Sequence, residues 1–467
     1  MDYPNTFPER VQTSAEQSAY VWATLLVFGG LFFVVALLLG GPLYGVVALG
    51  VLAMPFLFRY PHASLWVSTI FMLLVTAFVP QEYAGDTDGT AQQLYAWAIG
   101  LFLITLPMVW SLPWRQLFAK ARQRKVPLAL TFFLLVTAAA SLQGLRFAAT
   151  LSYVLRQAYG ALLLCVYFWA AIHFTVDRND IAKNMRRIKL VGLAVGIITI
   201  IYWIGIEHNF ARFKMDLATY ETTLAAYCSG EFLYAKGAWN RLVLAAQAFI
   251  FFLHPVLFHS RGAVGVCGIV MLLGVGLLLP SRKAKLLALA SVFMFLVLAI
   301  QTNIFAPLRG MMPDIGGAAD LVPEDVIADP SFYSRIDQWI TAIQTLRTHP
   351  ILGTGLGSEL EYFDPKLNAW AYRAIVDPGY AYLISKFGIL GVIGFIWLMV
   401  SIARSSGWPE RNGMHLGLFL VFVFGLLYMV DGAVMLHFLT AAWFGTVLGF
   451  LYQMRRLPEI SPVPVKQ

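Results

Sequence analysis

Two arginines stand where a charge needs an explanation. Arg261, in HSRGAVGVCG, falls between two apolar segments, where an ionised side chain is costly unless it finds a partner, water or a route to the interface. It reads either as an anion-binding group or as an arginine snorkelling from a helix end. Arg335, in SFYSRIDQWITAIQTLRTHP, sits in a stretch where Ile336, Ile340, Ile343 and Leu346 recur at helical spacing. Ser334 with Asp337 three residues on matches a capping box, which predicts that Arg335 stands in the first helical turn, beside free backbone amides that favour an anion. A planar guanidinium there adds bidentate contacts to phosphate oxygens. The plainer reading is a solvated arginine on an amphipathic helix.

Asp377 lies just before an apolar segment that begins at Tyr380. That position suits a general base for an acceptor hydroxyl at the outer membrane surface, or equally a turn residue in Asp-Pro-Gly. Asp431 and His437, near the outer ends of the last two apolar segments, and Arg156 in the sixth are further polar candidates, each also readable as a structural contact. Gly353, Gly355 and Gly357 in PILGTGLGS invite a phosphate-loop reading. The lysine and Ser/Thr of that motif are missing and no strand precedes it, so a turn needing backbone freedom is expected instead. Around these residues the loop is acidic and rich in aromatics, among them Tyr333, Trp339, Tyr362, Trp370 and Tyr372. A few placed arginines in such a loop suit a saccharide with one anionic end, although Trp and Tyr also anchor membrane interfaces. No cluster of His, Asp or Glu has metal spacing.

The elements that must position these groups are apolar. Of 467 residues, 59% are hydrophobic and 12% charged, with mean hydropathy +0.71; soluble domains carry about a quarter charged residues. The expected fold class is all-α, a polytopic membrane helical bundle of about 12 transmembrane helices drawn from about 13 apolar runs, with one large external loop containing short helices. No cleaved signal peptide is evident in the polar residues 1–19. The formal charge of +8 sits mostly in short loops and reads as orientation, with no nucleic-acid partner. Cys165 and Cys267 lie in apolar runs and Cys228 stands alone in a polar loop, so no disulfide framework or cysteine metal site follows.

The positive-inside rule puts the basic clusters at 115–125, 178–189, 282–285, 404–411 and 455–456 in the cytoplasm, together with both termini. The loops 81–90, 207–240 and 306–378 then fall outside. From Asn240 to Lys285 the chain must then cross an odd number of times, yet two apolar segments intervene. This predicts that 241–280 crosses once, with a broken or re-entrant piece near 241–262 at LHPVLFHSRG, where Pro255 removes a helix hydrogen bond. The resulting organisation is a cytoplasmic tail at 1–19, membrane helices over 20–305, the large loop at 306–378, further membrane helices over 379–454 and a cytoplasmic tail at 455–467.

Three motifs carry a resemblance to a known family. Ser260-Arg261-Gly262-Ala263 opens a membrane helix; Ser334-Arg335 is followed by Trp339, Ala342 and PILGTGLG; and Asp377, Tyr380, Gly388 and Gly391 form a spaced block. The set resembles the O-antigen ligase and polymerase superfamily of bacterial inner-membrane proteins, over roughly residues 239–400. The family's His-Asn pair is replaced here by Asp377 and Pro378, which turns the expectation from ligation to lipid A core towards polymerisation of a repeat unit. The resemblance implies an undecaprenyl-diphosphate-linked oligosaccharide donor, a saccharide acceptor, membrane lipid around the site and chemistry on the periplasmic side. It implies Arg261, Arg335 and Asp377 as catalytic residues, with Arg156, Trp339, Tyr380 and Asp431 binding substrate, no cofactor and no metal. Other polysaccharide export proteins are candidate partners. The competing readings are a ligase, a lipid-linked oligosaccharide transporter and a structural scaffold in an export complex. Transporters usually show internal repeats and paired interrupted helices; one interrupted region and one dominant loop are visible here.

Overall fold

The computed structural model describes residues 42–78, 88–121, 125–147, 150–202, 215–257, 261–278, 330–364, 369–373, 376–409 and 412–457. The apolar segments at 20–40 and 286–305 and the first part of the large loop, 306–329, lie outside them. Among the described residues are fourteen α-helices: α1 (Pro42–Arg59), α2 (Ser64–Phe78), α3 (Asp88–Ser111), α4 (Trp114–Ala121), α5 (Lys125–Arg146), α6 (Leu151–Phe174), α7 (Arg178–Tyr202), α8 (Met215–Tyr234), α9 (Ala238–Leu257), α10 (Arg261–Leu278), α11 (Pro330–Thr348), α12 (Gly379–Ser406), α13 (Gly413–Tyr428) and α14 (Phe438–Gln453). Between α11 and α12 the loop also forms an antiparallel hairpin of β1 (Leu360–Asp364) and β2 (Ala369–Arg373), with Tyr362 opposite Ala371. The helical expectation holds, with this hairpin added to the loop. Among the described residues three helices, α5, α6 and α12, are long and apolar enough to cross a membrane, and α2, α3, α10 and α13 contain shorter apolar stretches.

Small residues let the helices approach closely, the usual device where lipid removes the hydrophobic drive between helices. Gly445 and Gly449 of α14 lie against the backbone of α6: a Cβ built on either would come within 2.5 Å of Leu164 O or 2.8 Å of Phe168 O. α13 meets α8 in the same way, Gly417 facing Tyr227 and Gly413 facing Glu231. α5 and α12 are joined by rings, Phe133 stacking on Phe387 at 6.0 Å and Phe132 meeting Trp397 at a tilt, 5.7 Å between centroids. Asn412 caps α13, its side-chain oxygen accepting from the N–H groups of Met414 and His415.

One expectation is corrected. Residues 207–240 read as an external loop, yet 215–234 form α8, with Tyr220, Glu221, Thr222, Thr223 and Tyr227 fully buried. Asp216, Glu221 and Glu231 hide the helix from a hydropathy reading, and Tyr220, Thr223 and Glu231 find partners on distant segments. Glu231 pairs with Lys189 of α7 and accepts from Tyr227 at 3.1 Å; Trp443 Nε1 donates to Thr223 Oγ1 at 2.9 Å and Tyr220 OH to Leu439 O at 2.5 Å. Three helices run between 215 and 278, so the stretch 241–280 assigned to one broken crossing holds most of α9 and all of α10. α9 passes through Pro255 to Leu257, and residues 258–260 lie outside the described residues.

α12 is kinked where the loop docks. Gly388 has φ +61° and ψ −160°, splitting the helix into two pieces. The backbone bonds lost there are replaced from the turn after α11: Ile389 N–H donates to Pro350 O at 2.9 Å, Leu390 N–H to Ile351 O at 3.2 Å, and Ser385 O accepts from Thr354 N–H at 2.8 Å. The same turn closes on Gly144 of α5, where a Cβ would lie 1.7 Å from Leu356 O. Gly144→Val is therefore expected to lower stability by about 1–3 kcal/mol, read as a reduced thermal midpoint of the purified protein in detergent, whereas Gly265→Val, at a helical glycine with open space around it, leaves the midpoint nearly unchanged.

Candidate functional site

α11 turns its small and polar side inward: Ser334, Gln338, Ala342 and Thr345 are buried while Ile336, Ile340 and Ile343 are exposed. The helix begins at Pro330, a residue suited to a first turn because its missing N–H is not needed there. Arg335 accordingly stands in the second turn and not the first, and the capping-box reading of Ser334 and Asp337 fails. Asp337 is occupied elsewhere, its Oδ2 accepting the N–H of Phe363 at 2.6 Å and tying β1 to α11.

The glycine turn is a structural joint. Gly353, Gly355 and Gly357 have φ of +62°, +84° and +82°, values that side-chain-bearing residues rarely adopt. Four of its N–H groups are already bonded within the protein: Gly353 to His349 O at 3.1 Å, Thr354 to Ser385 O at 2.8 Å, Leu356 to Ala140 O at 2.9 Å and Gly357 to Gln157 Oε1 at 2.7 Å. Beneath it the buried Lys386 of α12 donates to the carbonyl of Ser358 and, at 3.1 Å, to its hydroxyl. Sequence reasoning missed this lysine, although a charge inside an apolar segment is itself a signal.

The ends of four segments converge beside this joint. The start of α12 is fastened to the α13–α14 connection: Tyr380 N–H donates to Met429 O at 3.1 Å, Tyr380 OH to Leu426 O at 2.8 Å, and Gly379 packs on Met429 and Ala433. That connection carries Asp431, whose Oδ1 is 2.9 Å from Nε of Arg335. Its Oδ2 lies against Gly262, the second residue of α10, where a Cβ would sit only 2.0 Å away. Any side chain at 262 would displace the carboxylate, so the glycine of the Ser-Arg-Gly motif makes room for it. Arg261 opens α10, one residue before. Asp377 is exposed, and its N–H donates to the buried Gln338 Oε1 at 3.0 Å. Gln338, one turn on from Arg335, thus sets the backbone of Asp377 relative to that arginine; sequence reasoning missed it too.

The structure thus brings together Arg335, Asp431, Asp377 and the first turn of α10. Arg156 of α6 lies instead beside Tyr382 and next to Gln157, with the glycine turn. Trp339 is half-buried against the core, and the Tyr380 hydroxyl is taken up by a carbonyl. Burial pushes the Asp431 carboxyl above the ordinary aspartate range; the Arg335 guanidinium opposes this and Asp377 adds to it. The arrangement is one guanidinium paired with the Asp431 carboxylate, which also lies against a helix N-terminus, a place that a competing polyanion would favour.

Residues 246–396 match a family model described as O-antigen ligase. The match begins inside α9 and ends inside α12, taking in Arg261, Arg335 and Asp377 and leaving out Asp431 and Arg156. No curated protein matches the chain.

The raised Asp431 carboxyl has a defined sign. A carboxyl raised by folding stabilises the fold below its unfolded value, about 3.9, and that contribution is lost as pH rises through the folded value. Relative to wild type, Asp431→Asn is therefore expected to gain stability as pH rises from about 4. The check is the difference in thermal midpoint between the two proteins in detergent across that range; a difference that stays flat with pH would contradict the burial of this charge.

Proposed function

We propose that this chain, whose residues 246–396 carry an O-antigen ligase domain of the O-antigen ligase/polymerase superfamily, is a bacterial inner-membrane glycosyltransferase that polymerises surface polysaccharide. The donor is a glycan on undecaprenyl diphosphate and the acceptor a hydroxyl of another lipid-linked saccharide. The observation that carries the reading is the Arg335 guanidinium at the first turn of α10, beside Asp431 and Asp377.

The reaction moves one bond. The acceptor oxygen attacks the anomeric carbon as the bond from that carbon to the diphosphate oxygen breaks, and the leaving diphosphate takes the electron pair. Arg335 and Arg261 neutralise the charge that grows on it, the kind of fixed electrostatic stabilisation that is worth most in a partly dehydrated site. No metal is needed where guanidinium groups do this. Asp377, exposed and fixed through its N–H to Gln338, receives the acceptor proton. Direct attack with one base inverts the anomeric centre. Arg156, Trp339 and Tyr380 border the acceptor or the lipid rather than the reacting atoms.

Sidedness follows from parity. With Arg178–Lys189 cytoplasmic, α7 leads outward, α8 inward, α9 outward and α10 inward to the basic residues at 282–285. The first turn of α10 is then periplasmic, as are the loop at 306–378 and the α13–α14 connection with Asp431, while both termini are cytoplasmic. With the apolar segments at 20–40 and 286–305 this path makes about 14 crossings in all, two more than the sequence suggested, because α8, α9 and α10 supply three where one was expected.

A second reading is favoured by the matched family's description: transfer of the glycan to lipid A core. Purified protein in liposomes with the lipid-linked repeat unit as sole substrate separates the two. A ladder of lipid-linked polymer supports the polymerase, and product formed only after lipid A core is added supports the ligase. In the active assay Arg335→Ala is expected to lower turnover by about 10²–10³ and Asp377→Asn by about 10² or more. Transport of the intact donor across the bilayer that is lost with Arg335→Ala would instead make the chain a flippase.

A further inference from the structure

The hairpin of β1 and β2 buries one face and offers the other. Leu360, Tyr362 and Ala371 form the buried face. On the outer face the register sets Glu361 opposite Tyr372 and Phe363 opposite Trp370. A hairpin with one buried face ordinarily turns polar residues to solvent, yet here Trp370 is 63% and Tyr372 62% exposed. Each ring is held by the residue opposite it. The Trp370 ring meets that of Phe363 edge to face, 6.0 Å between centroids, and the Tyr372 hydroxyl donates to Glu361 Oε1 at 2.6 Å. Two residues apart on β2, the rings stand about 7 Å apart along the strand.

The chemistry of this face suits one occupant. Acyl chains offer nothing to the exposed Glu361 carboxylate, and an interfacial anchor would leave its tyrosine hydroxyl to lipid headgroups, whereas Tyr372 gives its own to Glu361. A saccharide answers both halves of the face. Its C–H groups pack on the electron-rich faces of the rings, and its hydroxyls donate to the carboxylate in charge-assisted bonds. The place of the hairpin agrees with this. Adjacent residues of α11 hold the hairpin and the proposed base: Asp337 accepts from Phe363 N–H at 2.6 Å and Gln338 from Asp377 N–H at 3.0 Å. Asp377 also follows Arg373, the last residue of β2, by four positions. A sugar chain whose hydroxyl reaches Asp377 therefore begins beside the hairpin.

We propose that the outer face of the hairpin is a subsite for the acceptor saccharide, with Trp370 and Tyr372 as stacking platforms and Glu361 as the acceptor of its hydroxyls. The inference rests on the proposed function for the transfer at Asp377 and adds where the further sugars of the acceptor lie. No bond is made or broken at the hairpin. Its effect is to favour an acceptor of several sugars over a single one.

The test uses the full-length protein in nanodiscs. The probe is the repeat-unit oligosaccharide cut from the surface polysaccharide of the cells that make this chain, free of lipid and phosphate. Trp370→Leu, which keeps an apolar side chain but removes the flat ring, and Tyr372→Ala are each expected to weaken its binding by about tenfold at an unchanged thermal midpoint. In the transfer assay the same loss is expected in KM for the acceptor and not in KM for the donor. No binding by the wild type, or equal binding by wild type and Trp370→Leu, would overturn the proposal. So would wild-type binding present in detergent and absent in nanodiscs, which gives the face to lipid, or a dimer lost in the variants with oligosaccharide binding intact, which gives it to a second copy. Oligosaccharide held at the hairpin by a protein that makes no glycan would sink the proposed function alone. Polymer made by a protein whose oligosaccharide binding ignores Trp370→Leu would sink this inference alone.

Discussion

The docking of the glycine turn into the kink of α12 is the constraint on which the site depends. A helix interrupted at Gly388 leaves backbone groups that cannot stay unpaired at membrane depth. The turn from Pro350 to Gly357 satisfies them, and α5 and α6 satisfy the turn in exchange. Neither partner is complete alone: the kink without the turn exposes carbonyls and N–H groups, and the turn without its three helices has no reason to hold three left-handed glycines. Lys386, buried below the joint, fixes the residue at which the chain leaves for the hairpin. α11 enters this joint and α12 leaves it, so the joint sets how Arg335 and Asp377 face each other.

Above the joint, the site is held by polar contacts of short reach. Gln338 ties Asp377 to the Arg335 helix, Asp337 ties the hairpin to the same helix, and Tyr380 ties α12 to the connection that carries Asp431. Asp431 stands between the arginine and the first turn of α10. Arg335 already has Asp431 as its partner, with Asp377 close enough to that carboxylate to raise it. Any anion that reaches Arg335 must displace this partner, which lowers the gain below that of a bare arginine.

Much of this was legible in the sequence, and the failures have physical causes. Arg335, Asp377 and Asp431 could be singled out because charges next to apolar segments are rare and costly, and the helical period of the isoleucines located α11. Which face of α11 is buried could not be read, since Ser334, Gln338 and Thr345 are buried, Gln338 by a bond to Asp377 outside the helix, while the isoleucines face out. α8 was missed for the same kind of reason. Hydropathy scores Glu231 or Thr223 as isolated groups, yet Lys189 and Trp443, tens to hundreds of positions away, satisfy them. Gly262 was noticed as part of a motif, but its reason, a carboxylate pressed against its backbone, becomes visible only when the α13–α14 connection is in place.

That last contact also bears on the order of assembly. Chains are made and inserted from the N-terminus, so α10, α11 and α12 are synthesised before Asp431. Until α13 and α14 have packed against α8 and α6, the first turn of α10 and the guanidinium of Arg335 lack the carboxylate that bridges them, and Tyr380 lacks its two carbonyl acceptors. Biogenesis therefore leaves a half-built centre in which Arg335 still lacks Asp431, and α13 and α14, which follow it, bring it to rest.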